Sequence, residues 1–310
     1  MVSGTNNPLV TVITITRNRA SLLKRAILSV INQTYKNLEY IIIDGASEDN
    51  TSEVVNSFQD KRIIYIKQSH NKNISLSCDE AVQLSTGKYI TFLDDDDKYL
   101  PMKIEKQVKL IESLPNDYGL VYCWMDYYDQ DSGKMIGEHH PNNRGYIYYD
   151  CIEKQSMGGE PTLFMRREVY FDVNGWNKNL KLSSDWEFNT RIARKYLIDF
   201  VPEVLVHVYI NHSFLRMTES FIPNSRDKII NLIEYTEYYL NEFKDGFQKY
   251  PEKKIPHLVR LAKLHARLGE INNCIINIRQ LIREFGFNLN IQVTILKSIY
   301  FLISGYSIRK

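Results

Sequence analysis

The chain has 310 residues, 44% hydrophobic and 25% charged, which is enough apolar material for a sizeable core at an ordinary charge content. Lys plus Arg is 39 against 37 for Asp plus Glu, and a formal charge of +2 excludes the strongly basic footprint of a nucleic-acid binder. The four cysteines, Cys78, Cys123, Cys151 and Cys274, form no CxxC pair, so neither a disulfide framework nor a zinc site is expected and a reducing compartment is.

The chain opens polar up to Pro8, without a signal-peptide pattern, and no run of ~18 apolar residues predicts a membrane span. Val10 to Thr16 is a β-branched run that predicts a first strand. Arg17-Asn18-Arg19 turns the chain, and Ser21 takes the N-cap place before Leu22, Leu23, Ala26, Ile27 and Val30 at helical spacing. Leu38 to Ile43 predicts a second strand, ending in the turn-rich stretch Asp44-Gly45-Ala46-Ser47-Glu48-Asp49-Asn50-Thr51. A helix over Ser52 to Phe58, a strand over Ile63 to Ile66 and a helix over Ser75 to Leu84 follow, closed by Ser85-Thr86-Gly87. Tyr89, Ile90, Phe92 and Leu93 then predict a buried strand that runs into Asp94-Asp95-Asp96-Asp97. Alternating strands and helices predict a mostly parallel sheet with right-handed crossovers, whose ligands lie beyond the carboxyl ends of the strands. Thr16, Asp44 and Asp94 all fall at such ends.

Four adjacent carboxylates repel one another and resist desolvation unless a cation neutralises them. Mg²⁺ or Mn²⁺ suits them, because hard divalent ions take carboxylate oxygens and commonly keep phosphate oxygens as further ligands. For such a run taken alone, a solvated acidic turn is the competing reading.

Pro101 to Leu114 reads as a helix with Ile104, Val108 and Ile111 on one stripe, and Gly119 to Trp124 as a strand. Tyr127 to Gly145 is polar, with the pattern of a hairpin or a long loop, and Leu197 to Tyr209 carries a further strand. The composition shifts near Pro223, which divides the chain into residues 1–222 and a helical region, 223–310. Ile229 to Phe247 is helical. Leu258, Leu261, Leu264 and Leu268 mark one later helix, and beyond Gly269 Ile271, Ile275, Ile278, Ile282 and Phe285 mark another. The pair resembles one helical hairpin of the tetratricopeptide kind. Ile291 to Tyr306 either packs as the last helix of this bundle or lies at a membrane surface.

Four motifs in one order, Val10 to Arg19, Asn32-Gln33-Thr34-Tyr35, Ile43 to Thr51 and Phe92 to Asp97, resemble a family 2 glycosyltransferase over roughly the first 215 residues. The resemblance implies a GT-A-type fold, a Rossmann-like mostly parallel sheet flanked by helices. It also implies a nucleotide-sugar donor, Mn²⁺ or Mg²⁺, a glycan or lipid-linked acceptor and inversion at the anomeric carbon. On that resemblance Thr16, with Arg17 and Asn18 behind it, contacts the nucleotide, and Asp44 accepts a hydrogen bond from the base. An ionised carboxylate only accepts, which favours a uracil or thymine N3–H and hence a UDP-sugar. Asp94 faces the ribose or the metal shell, Asp96 binds the metal, Asp97 helps, and His212 completes the shell in preference to His207. Asp95 is grouped with the nucleotide residues, although alternation along an extended segment points it away from its neighbours.

The stretch Ser183 to Ala193 resembles the family's acidic motif at a helix start. Asp185 stands in the place of the catalytic base, Glu187 is the second choice, Trp186 is a candidate acceptor wall and Glu160 lies on the acceptor side. Departures stand out: Gly45 replaces a second aspartate, Cys78-Asp79 stand where an Arg-Asn pair is common, and Ser184 replaces an acid. The expected setting is bacterial surface polysaccharide synthesis in the cytoplasm, with peripheral contact at the inner membrane face through the C-terminal helices. A nucleotidyltransferase would need a glycine-rich loop where Arg17-Asn18-Arg19 stands. A non-catalytic nucleotide-binding adaptor acting through those helices is the other reading.

Overall fold

The computed structural model describes residues 7–180, 184–211, 225–287 and 289–303. Its first part alternates as expected: β1 (Val10–Thr16), α1 (Ala20–Ile31), β2 (Leu38–Asp44), α2 (Thr51–Asn56), β3 (Ile63–Lys67), α3 (Ile74–Leu84) and β4 (Tyr89–Phe92). Then come β5 (Lys98–Tyr99), α4 (Lys103–Ser113), β6 (Tyr118–Asp129), β7 (Met135–His139) and α5 (Tyr148–Cys151). A 3-10 turn at 160–162 leads into β8 (Phe164–Arg166), α6 (Arg167–Asp172), α7 (Ser184–Lys195) and β9 (Leu197–Ile210). Helices α8 (Arg226–Glu242), α9 (Lys244–Lys249), α10 (Ile255–Leu268), α11 (Ile271–Phe285) and α12 (Leu289–Ile303) complete the order.

The chain divides into an α/β unit, Met1–Ile147, Ser156–Lys178 and Phe188–Phe214, and a helical unit, Tyr148–Gln155, Asn179–Glu187 and Leu215–Lys310. The α/β unit is built on a sheet ordered β3-β2-β1-β4-β8-β6-β9-β5, with β7 paired to β6 as a hairpin. The sheet is mixed rather than mostly parallel. β1, β2, β3 and β4 run parallel, as do β6 and β9, but β8 lies antiparallel to both β4 and β6, and β5 antiparallel to β9. The physical reason is the short β8, inserted at the centre between two strands that precede it in the chain.

Val10, Val12, Tyr40, Ile42 and Tyr89 pack with Leu23, Ala26, Ile27 and Val30 of α1 in the main core. Strands covered on both faces read as near-continuous apolar runs, which is why β1 and β2 are legible. Gly87 lets β4 enter beside β1, since a Cβ there would stand 2.5 Å from Thr11 Oγ1 and 2.7 Å from Thr11 N. Ser21 is not the N-cap of α1. The helix begins two residues earlier, at Ala20 after Arg19, whose side chain makes no cap bond, and the Ala20 N–H goes to Asp49 Oδ2 at 3.1 Å. A carboxylate at a helix N-terminus also suits the helix dipole.

In the helical unit, Ile229 and Ile233 of α8, Leu258, Leu261 and Leu264 of α10 and Leu281 of α11 form the apolar core. Gly269 ends α10 at φ 76°, a left-handed residue that turns the chain toward α11. A second, aromatic core surrounds Tyr239, whose ring centroid lies 4.6 Å from Phe243, 5.0 Å from Trp186 and 5.2 Å from His257. Segment 148–155 is stitched into it by its carbonyls: Cys151 O accepts Trp186 Nε1–H at 2.7 Å and Tyr239 O–H at 2.9 Å, and Ile152 O accepts His257 Nε2–H at 2.6 Å. All four cysteines are buried and unpaired with one another. Among the described residues, no helix is long and apolar enough to cross a membrane.

Candidate active site

The carboxyl ends of β2, β1 and β4 lie side by side, because Thr16 registers with Asp44 and Ile13 with Phe92. Just beyond β4, Asp94, Asp96 and Asp97 turn one ligand oxygen each toward a common point, all within 4.8 Å of one another. Asp96 and Asp97 are 3% and 0% exposed, and Asp94 is the more open member. Three hard oxygen donors gathered at a strand end fit a divalent cation that also accepts phosphate oxygens.

Asp95 faces the other way. Its Oδ2 accepts Thr16 Oγ1–H at 2.7 Å and its Oδ1 accepts Arg19 Nη1–H at 2.8 Å, while the same nitrogen reaches Asp96 Oδ2 at 3.2 Å. Burial alone lowers the Arg19 pKa, but the charges of Asp95, Asp96 and Asp94 outweigh it and hold the guanidinium above its usual value. Asp97 Oδ1 accepts the Tyr209 N–H at 3.0 Å. Arg25 donates to the Asp96 carbonyl and to Gln130 Oε1, and stacks 3.7 Å above the Tyr209 ring. The acidic run is thus fixed by two arginines from the start of α1. Arg19 reads from sequence only as a turn residue and Arg25 only as a polar helix position; their signal is basic side chains close behind a strand end, which gains meaning only once β4 is set beside β1.

Asp44 is fully buried. Its Oδ1 accepts the Ser47 N–H at 2.8 Å and its Oδ2 accepts Tyr65 O–H at 2.5 Å, which leaves each oxygen a second lone pair. Thr16 O accepts the Gly45 N–H at 2.9 Å. Asn18, at φ 52°, ties the neighbouring loop: its Oδ1 accepts Glu48 N–H at 2.7 Å and its own N–H goes to Ser47 Oγ at 2.8 Å. Arg17 is exposed beside it. Glu160 sits in the 3-10 turn. Burial, followed by the charges of Glu160, Asp94 and Asp79, pushes the Cys78 thiol well above its usual range, so Glu160 and Asp94 share one electrostatic environment. Asp79 itself pairs with Lys178 at 2.6 Å and accepts the Tyr170 hydroxyl. His212 lies outside the described residues.

The acidic motif of α7 belongs, up to Glu187, to the helical unit. Asp185 is half-buried. Withdrawal of its carboxyl from water raises its pKa, against the Trp186 N–H and Gln155 Nε2–H, the latter at 3.3 Å, which pull it down. Glu187 is fully buried and accepts Tyr238 O–H at 3.1 Å. Trp186 spends its Nε1–H on Cys151 O and stacks at 5.5 Å on His257, so it is built into the aromatic core.

The sequence model of the family described as "Glycosyl transferase family 2" matches residues 11–174. The chain belongs to glycosyltransferase family 2. It is 32% identical over 214 residues to an uncharacterized glycosyltransferase of Methanocaldococcus jannaschii, covering 66% of this chain and 72% of that protein. It is 30% identical over 227 residues to the putative colanic acid biosynthesis glycosyl transferase WcaA of Escherichia coli K12, covering 69% and 77%. Among solved structures, S. aureus TarS 1-349 with UDP-GlcNAc superposes at TM-score 0.64 with 14% identity over 96% of this chain and 89% of that one. The mannosyltransferase PcManGT of Pyrobaculum calidifontis, with GDP-Man and Mn²⁺, gives 0.53 and 18% over 98% and 86%. At these identities the structures speak for the fold, which is GT-A.

Proposed function

We propose that this glycosyltransferase is inverting and metal-dependent, and that it moves a sugar from a UDP-sugar to a hydroxyl of a glycan or lipid-linked acceptor in surface polysaccharide synthesis. The observation that carries this reading is the Asp94, Asp96, Asp97 trio at the end of β4, two strands from Asp44 at the end of β2. Asp94, Asp96 and Asp97 hold Mn²⁺ or Mg²⁺, with His212 as a further ligand. The bound ion supplies positive charge to the donor's diphosphate, which eases departure of the nucleoside diphosphate.

Asp44 offers its free lone pairs to the N3–H of uracil, and Thr16, Arg17, Asn18 and Asp95 shape the nucleotide side. TarS, the neighbour bound to UDP-GlcNAc, and PcManGT, the neighbour bound to Mn²⁺, support these choices by analogy of fold. The name of WcaA supports polysaccharide synthesis. Asp185 takes the proton of the acceptor hydroxyl as that oxygen attacks the anomeric carbon from the face opposite the leaving group. A single displacement of this kind inverts the centre and needs no covalent enzyme intermediate. A carboxylate whose pKa is raised by burial is a stronger base for the task. Glu160 and Trp186 are assigned to the acceptor side, and the C-terminal helices to peripheral contact at the inner membrane face.

A thermal-shift panel of UDP, dTDP, GDP, CDP and ADP, each with Mn²⁺ and with EDTA, tests the reading. A ligand at 100 times its Kd adds ~2.7 kcal/mol, which is readily seen. The expected result is stabilisation by UDP with Mn²⁺ only. Stabilisation by none of them removes the donor site and favours an adaptor working through the C-terminal helices.

A further inference from the structure

The helical unit keeps two unspent donors around Trp186, the residue after Asp185. Tyr235 of α8 is 2% exposed, and its hydroxyl has no hydrogen-bond partner. Arg260 of α10 is half-buried, and its Nη1, fully withdrawn from water, has none either. Among the described residues Arg260 forms no ion pair. Its guanidinium lies over the Trp186 ring, 5.8 Å from the centroid, and the Tyr235 ring stands 6.3 Å from the same indole. Asp185 and Glu187, on either side of Trp186, act electrostatically on Tyr235, as does Arg260.

A buried guanidinium facing an indole instead of an anion is poorly compensated, since a cation–π contact returns only part of the lost hydration. Burial lowers the Arg260 pKa, and its one charge partner, Tyr235, is itself held well above the usual tyrosine range and so stays neutral. Arginine has donors alone to offer, and the Tyr235 hydroxyl has its proton free. Two donors and a fixed positive charge match a group that only accepts and carries negative charge. Phosphate meets that description and binds arginine with directional N–H···O bonds.

We propose that Arg260 and Tyr235 seat a phosphate group of the acceptor beside Asp185, so that the enzyme selects phosphate-bearing glycans. The inference rests on the reading of Asp185 as the acceptor-side base. The phosphate bridges the two donors that the fold leaves unmet and holds the acceptor for its hydroxyl to reach the carboxylate. Nothing covalent happens at this seat.

The test titrates inorganic pyrophosphate into the full chain in EDTA, at ionic strength held constant with chloride, and follows tryptophan fluorescence. EDTA silences the aspartate trio, and Trp186→Phe identifies the reporter. The expected result is a saturable change that Trp186→Phe abolishes, with affinity lowered ~10-fold or more by Arg260→Met and a few-fold by Tyr235→Phe. Arg260→Lys keeps the charge but not the fork, and falls between. Arg260→Met, Arg260→Lys and Tyr235→Phe are expected to keep the UDP–Mn²⁺ thermal shift. Should Arg260→Met not fold, Tyr235→Phe and Arg260→Lys decide. Absence of a saturable response, or equal affinities in wild type and variants, overturns the proposal even where UDP–Mn²⁺ still stabilises the protein. Arginine-dependent pyrophosphate binding without a UDP shift leaves the seat standing and removes the donor reading instead. Flotation on phosphatidate vesicles, competed by pyrophosphate and lost in Arg260→Met, assigns the phosphate to a lipid carrier; pyrophosphate binding without flotation assigns it to a water-soluble glycan.

Discussion

In the α/β unit the buried carboxylates beyond the strand ends meet donors that the chain itself supplies: Ser47 and Tyr65 for Asp44, Thr16 and Arg19 for Asp95, the Tyr209 N–H for Asp97. The helical unit buries a carboxylate too, Glu187, met by Tyr238 O–H, but it also keeps donors that the chain does not meet. Arg260 and Tyr235 are donors without acceptors, and His257 is kept neutral with its Nε2–H on Ile152 O. On the reading proposed above, a cation would complete the first, an acceptor-rich pole, and an anion the second, a donor-rich one. The family match, residues 11–174, lies mostly on the first pole. If the proposed roles hold, donor chemistry goes with the shared part of the fold, and acceptor choice with the part the match leaves uncovered.

The comparison breaks most completely at Asp96. Asp96→Asn removes one ligand of the trio, and we expect Mn²⁺-dependent stabilisation by UDP to vanish; an unchanged thermal shift would place the metal elsewhere. Next in size, Asp185→Asn is expected to cut transfer by ~10²–10⁴, the usual worth of a positioned base, while nucleotide binding persists. Wild-type transfer should fall as pH drops through a pKa above the ordinary carboxylate value, because only the ionised form takes the proton, and the variant should lack that limb. Undiminished transfer by Asp185→Asn would shift the base to Glu187.

A third test concerns the donor-rich pole alone. Burial lowers the His257 pKa from 6.5 to about 4. The unfolded chain then binds the proton more readily, so stability is complete above 6.5 and declines as pH falls toward 4, by roughly 3 kcal/mol in all. Denaturant titrations at pH 7.5 and pH 4 should show this loss, and His257→Phe should flatten it. The smallest effect is again at Asp185. A carboxyl whose folded pKa is raised costs stability as pH rises above its unfolded value, in full once pH exceeds the folded one, so Asp185→Asn should melt slightly higher than wild type at pH 7 and not at pH 3.

The acceptor-rich pole was largely legible in the sequence. β1 and β2 are short apolar runs ending in Thr16 and Asp44, β4 is one that Asp94 follows two residues beyond Phe92, and strand ends in an alternating α/β chain are where ligands gather. Alternation set Asp95 apart from its neighbours, but residues 95–96 form a turn in which the Asp97 N–H goes to Asp94 O, so Asp97 joins Asp94 and Asp96 while Thr16 and Arg19 receive Asp95. What escaped depends on contacts between distant residues. Asp49 caps α1 from 29 positions away, where Ser21 looked sufficient. The three residues of β8 have no pattern of their own, yet they make the sheet mixed. Segments 148–155 and 179–187 join the helical unit through carbonyl-to-side-chain bonds that no composition shift announces.

The four buried cysteines have a practical consequence. The native surface offers no sulfhydryl for alkylation, so a single cysteine introduced at the exposed Glu48, in the loop after Asp44, would take a maleimide dye alone. Such a dye would report whether a nucleotide comes to this loop, without first stripping the wild-type thiols.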